Sequence, residues 1–144
     1  MRRPLLTTAI RLGAIALLGA ITLPTPSSAS PLALYRWTHR ILVVTGPDDA
    51  AAQQQRRIFH AAKAGMSERQ IILREAVDDS ALSRELRSAL GTDGRRFKVT
   101  LIGKDGHAAL ASETPISADD LFKRVDAMPM RQDEMRRARS EKSR

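Results

Sequence analysis

The chain contains no cysteine. That excludes a disulfide framework, a thiol nucleophile, a dithiol redox centre and any cysteine-based zinc site. Aromatic residues are scarce, at 3% of 144 residues, which argues against a base-stacking nucleic-acid surface. The eight glycines are dispersed. None of them forms a G-x-x-x-x-G-K-[ST] phosphate loop, and no serine sits in a G-x-S-x-G elbow. His39, His60 and His107 follow no local metal-ligand spacing. No apolar run reaches the ~20 residues that a membrane-spanning helix needs. With no catalytic constellation and no metal or cofactor motif in the sequence, the expectation is a protein that is not an enzyme.

What is present begins with a leader. Arg2 and Arg3 precede an uncharged, largely apolar run from Leu12 to Leu23. Pro24, Pro26 and small residues follow, with Ser27 and Ala29 at the −3 and −1 places of a cleavage site. This is the pattern of a secretory signal peptide over residues 1–29. An uncleaved anchor is the alternative reading. A twin-arginine signal is disfavoured by Pro4 directly after the arginine pair, and no cysteine is available for a lipid. Cleavage after Ala29 leaves 115 residues with a net charge of +5, and residues 131–144 hold +3 of it. The expected organisation is therefore one domain over residues 30–130 and a basic polar tail over 131–144. The expected location is periplasmic or secreted, with no transmembrane anchor after cleavage.

Within the domain, Arg40 to Thr45 is a short β-branched run of the kind buried on both faces of a sheet. Gly46-Pro47 stops it, and Asp48 or Asp49 can cap a helix with Ala51, Gln55, Ile58, Phe59, Ala62 and Met66 on one stripe, ended by Gly65. Gln70 to Val77 reads as a second strand. After Asp78-Asp79-Ser80 a second helix places Leu82, Leu86, Ala89 and Leu90 inward, with Arg84, Glu85 and Arg87 in water. Phe97 to Ile102 alternates as a third strand, Lys104-Asp105-Gly106 turns a hairpin, and His107 to Ser112 is a fourth strand antiparallel to it. Ser117 and Asp120 resemble a capping box for a third helix with Ala118, Leu121, Phe122 and Val125 inward, ended by Met128-Pro129-Met130. The tail beyond reads as a solvated or frayed helix.

The order β-α-β-α-β-β-α is that of a thioredoxin-like α/β three-layer sandwich with a mixed four-stranded sheet; another small α/β sandwich is the alternative. In a thioredoxin-like fold the working residues lie where the first strand meets the first helix. Here that place reads Thr45-Gly46-Pro47-Asp48-Asp49, with two carboxylates and no thiol. Arg95-Arg96 stands where redox members carry a proline before the third strand. Asp48 and Asp49 are expected to cap and to meet the helix dipole. The competing reading is a cation or small-ligand site built on them with Lys104 or Arg36. Tyr35-Arg36-Trp37 is expected to pack over a sheet edge or a helix end, with a ligand- or partner-facing aromatic patch that includes Arg36 and Trp37 as the alternative.

Three strings carry a resemblance: Leu34-Tyr35-Arg36-Trp37 leading into Arg40-Ile41-Leu42-Val43-Val44, then Leu101-Ile102-Gly103-Lys104-Asp105-Gly106, then Asp126-Ala127-Met128-Pro129-Met130-Arg131 with Glu134-Met135. Together they resemble domain of unknown function family 4174. These are small exported bacterial proteins, related to the C-terminal domain of sushi-repeat-containing extracellular proteins in animals. The resemblance spans roughly Leu34 to Met135. It implies a thioredoxin-like domain without redox cysteines, in the periplasm or outside the cell, and brings no catalytic residues. This chain departs from the family pattern at Thr45-Gly46, where many members carry a bulkier apolar residue before the proline. The expected function is a non-catalytic, redox-inactive binding or structural module with no cofactor. Its partner would be a protein or an envelope component, contacted by the body or through the basic tail, and not nucleic acid.

Overall fold

The structure is a computed structural model that describes residues 29–144. The expected signal peptide lies, apart from Ala29, outside the described residues. Four strands form one sheet: β1 (Arg40–Thr45), β2 (Ile71–Ala76), β3 (Lys98–Ile102) and β4 (Ala108–Ser112). Their order is β2-β1-β3-β4. β1 and β2 run parallel, with Leu42 opposite Leu73. β1 and β3 run antiparallel, with Ile41 opposite Ile102 and Thr45 opposite Lys98. β4 returns antiparallel to β3. Five helices accompany the sheet: α1 (Ala50–Ala61), α2 (Lys63–Glu68), α3 (Ala81–Ala89), α4 (Ala118–Asp126) and α5 (Pro129–Lys142). This is the thioredoxin-like α/β sandwich.

All six residues of β1 are buried, as expected of a central strand covered on both faces. The pleat sends alternate side chains to opposite layers. Leu42 and Val44 meet Val99, Leu101, Ala52, Phe59, Met66, Leu121 and Val125 on the α1–α2–α4 side. Ile41 and Val43 meet Ile102, Leu32, Tyr35, Ile72 and Leu90 on the other. A buried polar clamp ties the first layer together. Gln55 on α1 donates from Nε2 to the Ile116 carbonyl (3.1 Å), and its Oε1 accepts from the Ile116 N–H (2.7 Å). The stretch leading into α4 is thereby fixed to α1.

Local chemistry explains the helix ends. The Asp49 carboxylate accepts from the Ala51 and Ala52 N–H groups at 3.0 Å, so Asp49 is the cap of α1. Ser80 caps α3 through the Ser83 N–H, and Ser117 caps α4 through the Asp120 N–H. Asp120 returns to the Ser117 hydroxyl instead of to a backbone N–H, because its side chain is one carbon shorter than the usual Glu.

Four expectations change. The first helix is broken at Ala62, and Gly65 lies inside α2 instead of ending a helix. A Cβ at Gly65 would come within 2.5 Å of the Phe122 ring, so glycine lets α2 approach α4. In α3, Leu82 and Ala89 are exposed while Ser83 is buried. Asp78 accepts from the hydroxyls of Ser80 and Ser83, which lets serine occupy an inward position. Arg87 is not in water; it donates to the Ala76 and Asp78 carbonyls. Finally, residues 131–144, expected as a solvated or frayed helix, are helical through Lys142 and exposed from Arg136 onward, but their first turn docks against the body. They continue α5, and Arg131 is only 6% exposed.

Candidate functional site

The β1–α1 corner is closed by its own residues. Gly46 has φ +124°, and a Cβ there would lie 2.6 Å from the Arg96 carbonyl oxygen. Glycine is therefore needed for the chain before β3 to pass against the end of β1. Asp49 is consumed as the α1 cap. Asp48 meets Arg56 at 3.2 Å, and Arg56 in turn grips Glu75 at 2.6 Å. The hydrogen bonds that Arg56 donates to Glu75 and then to Asp48 raise its pKa. Both carboxylates thus have structural partners.

The proposed partners of that corner are elsewhere. Because β3 is antiparallel to β1, Lys104, just after β3, lies at the end of the sheet where β1 starts, and Arg36 and Trp37 precede that start. A strand of this length separates them from Asp48 and Asp49 by roughly 17 Å, at ~3.3 Å per residue. The combined site of Asp48, Asp49, Lys104 and Arg36 is therefore corrected: the sheet puts its halves at opposite ends.

The end that carries Lys104 is the more heavily built. Arg40, 1% exposed, donates to both oxygens of Glu134 (3.3 and 3.2 Å) and to the Arg69 carbonyl. Lys104, 7% exposed, also binds Glu134 (2.7 Å) and the Gln70 side-chain oxygen. Asp126 accepts from Arg69 (2.7 Å) and Arg131 (3.2 Å), and Arg131 reaches Glu68 at 2.6 Å. The Arg69 guanidinium lies 4.2 Å over the Phe122 ring. Burial works against the charge on Glu134, but hydrogen bonds from Lys104 and Arg40 outweigh it and lower the pKa. Asp126 is likewise lowered, with Arg69 and Arg131 overcoming burial. This network fastens α5 and the ends of β1 and β3 into one unit.

The aromatic segment divides. Tyr35 packs on the Ile41–Val43 layer, with its hydroxyl taken by Arg74 and that guanidinium 4.8 Å from its ring. That is the expected packing role. Trp37 is 62% exposed and held at φ +68°, while its N–H donates to the Lys104 carbonyl (2.7 Å). Arg36 donates to the Asp105 carbonyl, and its guanidinium lies 5.9 Å from the Trp37 ring.

A groove of about 780 Å3 lies beside the outer edge of β2. It follows Ile71 to Glu75 continuously, with Phe59, Met66, His39, His60 and Lys63 across from them. Two of the three histidines thus share a groove. Among the described residues, no group of three His, Asp or Glu side chains could hold a metal ion.

The network residues Arg40, Arg69, Asp126, Arg131 and Glu134 were missed as a set, because they join positions up to 94 apart in the chain. A usable signal existed: an arginine beginning a fully buried strand requires a partner carboxylate. The strings that carry the family resemblance are the strings that meet here, through Arg40, Lys104, Asp126, Arg131 and Glu134. The family model for a domain of unknown function (DUF4174) matches residues 31–134. The chain belongs to this family. The matched region ends at Glu134, so it includes the first turns of α5 and the carboxylate that Arg40 and Lys104 share. No curated protein and no solved structure matches the chain.

Proposed function

We propose that this DUF4174 domain is a non-catalytic, redox-inactive binding module that takes an extended polypeptide segment along the open edge of β2. The observation that carries the reading is the groove itself. Among the described residues β2 ends the sheet on one side and its outer backbone groups have no strand partner, and the groove follows five of its six residues. An edge of this kind accepts an added strand by backbone hydrogen bonds, with side-chain pockets for selectivity. Phe59, Met66, Ile71 and Leu73 give apolar walls, and Lys63 and the two histidines favour a segment carrying acidic residues, since Glu75 on the same wall is held by Arg56 and Arg74 by Tyr35. The lack of cysteine removes thiol chemistry, and the engagement of Asp48 and Asp49 speaks against acid–base work at the β1–α1 corner. The place of action is the periplasm or the cell exterior, on the strength of Arg2, Arg3, the Leu12–Leu23 run and the Ser27–Ala29 site.

The test is selection of a displayed random-peptide library on the purified protein. Selected peptides should be extended and acidic, should slow hydrogen exchange of the β2 amides, and should lose affinity with Lys63→Glu. Peptides that protect another surface and leave β2 unchanged would reject the groove. A second reading, attachment to an anionic envelope surface through the C-terminal helix, is confined to the exposed basic residues Arg136, Arg137, Arg139, Lys142 and Arg144, since Arg131 faces inward.

A further inference from the structure

Among the described residues four large apolar side chains are well exposed: Leu34, Trp37, Leu82 and Met130. Three of them gather around the β3–β4 turn, at the end of the sheet where β1 and β2 start. The Trp37 N–H donates to the Lys104 carbonyl, Arg36 beside it donates to the Asp105 carbonyl, and Met130 borders the same small cavity as Lys104 and Asp105. Leu34 belongs to the short helical turn Ala33–Tyr35, where Ala33 shares a concavity with Gly106 and His107. Packing does not account for these positions. Leu32 and Tyr35 of the same segment meet the Ile41–Val43 layer, whereas Leu34 stays 83% exposed. Trp37 holds φ +68°, a strained conformation for so bulky a residue, and gains little burial in return. Its hydrogen bond and that of Arg36 fix the backbone to the turn, so the indole is held outward.

The same end of the sheet is basic, because α5 lies across it. Glu134 meets Arg40 at the start of β1, and Arg137 and Glu141 border a concavity with Ser67, Glu68 and Gln70 just before β2. Arg131, Glu134, Ala138 and Glu141 thus turn toward the body, and the helical period puts Arg136 and Arg139 on the outer side. Six exposed cations, Arg36, Arg136, Arg137, Arg139, Lys142 and Arg144, stand against Asp105, Asp133 and Glu141. Glu68 is taken by Arg131 and Arg69. A lipid interface suits both features at once. Tryptophan and leucine enter the headgroup boundary without a matching cavity, and arginine meets lipid phosphates; each signal alone holds weakly, and the two combine. We infer that this end of the sheet docks on an anionic bilayer, with Leu34, Trp37 and Met130 entering the boundary and Arg36 and the free half of α5 meeting phosphates. The inference rests on the reading of the C-terminal helix as an attachment segment, adds the apolar half of the contact, and does not use the β2 groove.

Trp37 is the only tryptophan, so its fluorescence reports on this surface alone. The experiment uses the chain from Ser30 onward, which carries every element of the described fold and omits the apolar Leu12–Leu23 run. It is mixed at physiological salt with vesicles of phosphatidylglycerol and phosphatidylethanolamine, or with vesicles of phosphatidylcholine. The anionic vesicles should co-sediment the protein, shift Trp37 emission to the blue and, with brominated acyl chains, quench it. The phosphatidylcholine vesicles should bind at least tenfold more weakly. Ending the chain at Met135, which removes five of the six cations, should weaken binding at least tenfold. Leu34→Ser combined with Met130→Ser keeps every cation and the fluorescent probe; it should weaken binding at least fivefold with an unchanged circular dichroism spectrum. Co-sedimentation with Trp37 emission unmoved and the double variant unaffected would overturn the inference and leave attachment through the helix charges standing. No binding to anionic vesicles would overturn both and return this surface to a polypeptide partner. Equal binding and an equal blue shift on phosphatidylcholine would overturn the anionic assignment.

Discussion

Replacing Glu134 with alanine should unfold this domain far more easily than its place in a charged C-terminal helix suggests. Glu134 is a quarter exposed, yet it is the carboxylate that two nearly buried cations share, Arg40 at 1% and Lys104 at 7% exposure. Its loss leaves Arg40 with the Arg69 carbonyl and Lys104 with the Gln70 side-chain oxygen, and neither with a facing negative charge at close range. Removing one partner of a buried pair costs about 3–5 kcal/mol, and the partial exposure of Glu134 points to the lower figure, about 3 kcal/mol. For a domain near 100 residues that is a Tm decrease of about 12 °C or more. The assay is equilibrium urea unfolding followed by circular dichroism, with the midpoint read at unchanged m. A companion replacement of Arg40, Lys104 and Glu134 together by Met, Met and Leu should recover much of the loss, because what is costly is the unpaired charge and not the absence of the pair. A loss below about 1 kcal/mol for Glu134→Ala, the value of an ordinary surface ion pair, would refute the argument.

Four further outcomes follow from the geometry. Glu134 and Asp126 are held below the usual carboxylate range, so the folded state binds fewer protons than the unfolded chain; stability should be complete above about pH 5 and fall as acid titrates them in the folded state, with a shallower acid decline in Glu134→Ala. Gly46→Ala should lose at least about 1–3 kcal/mol from its left-handed backbone alone, with the close approach to Arg96 adding to it, as read from the urea midpoint. Asp49→Ala should cost about 1 kcal/mol as a lost helix cap, and Asp48→Ala less, since its partner Arg56 keeps Glu75. Truncation before Arg131 should destabilise the fold by removing Glu134 and Arg131, whereas truncation before Arg136 should leave the melting curve almost unchanged while removing the exposed basic residues; equal effects would contradict the division of α5 into a docked and a free part.

The strands were legible because each has a local signature. β1 is a continuous run rich in β-branched residues, and Phe97 to Ile102 alternates with period two, which places Val99 and Leu101 in one layer and Ile102 in the other. The capping residues Asp49, Ser80 and Ser117 were legible for the same reason: a cap is a contact over two or three positions. The partition of residues within α3 was not. Hydrophobicity favours Leu82 as the inward residue, but the Asp78 carboxylate satisfies the Ser83 hydroxyl and reverses the choice. The docking of α5 was also illegible, because an Arg-rich segment reads as solvated until Arg40 and Lys104, far away in the chain, supply the reason for Glu134 to face inward. The site at the β1–α1 corner failed on topology. Lys104 and Asp48 both flank strands, and only the antiparallel sense of β3 shows that they flank opposite ends.

The most direct test of the binding reading is site-specific photo-crosslinking in the cells that make the protein. One variant carries the photoreactive residue in place of His60, on the β2 groove, and another carries it in place of Pro47, at the β1–α1 corner. The account predicts a discrete polypeptide adduct from the groove position and none from the corner. An adduct formed at Pro47 and absent at His60 would contradict it.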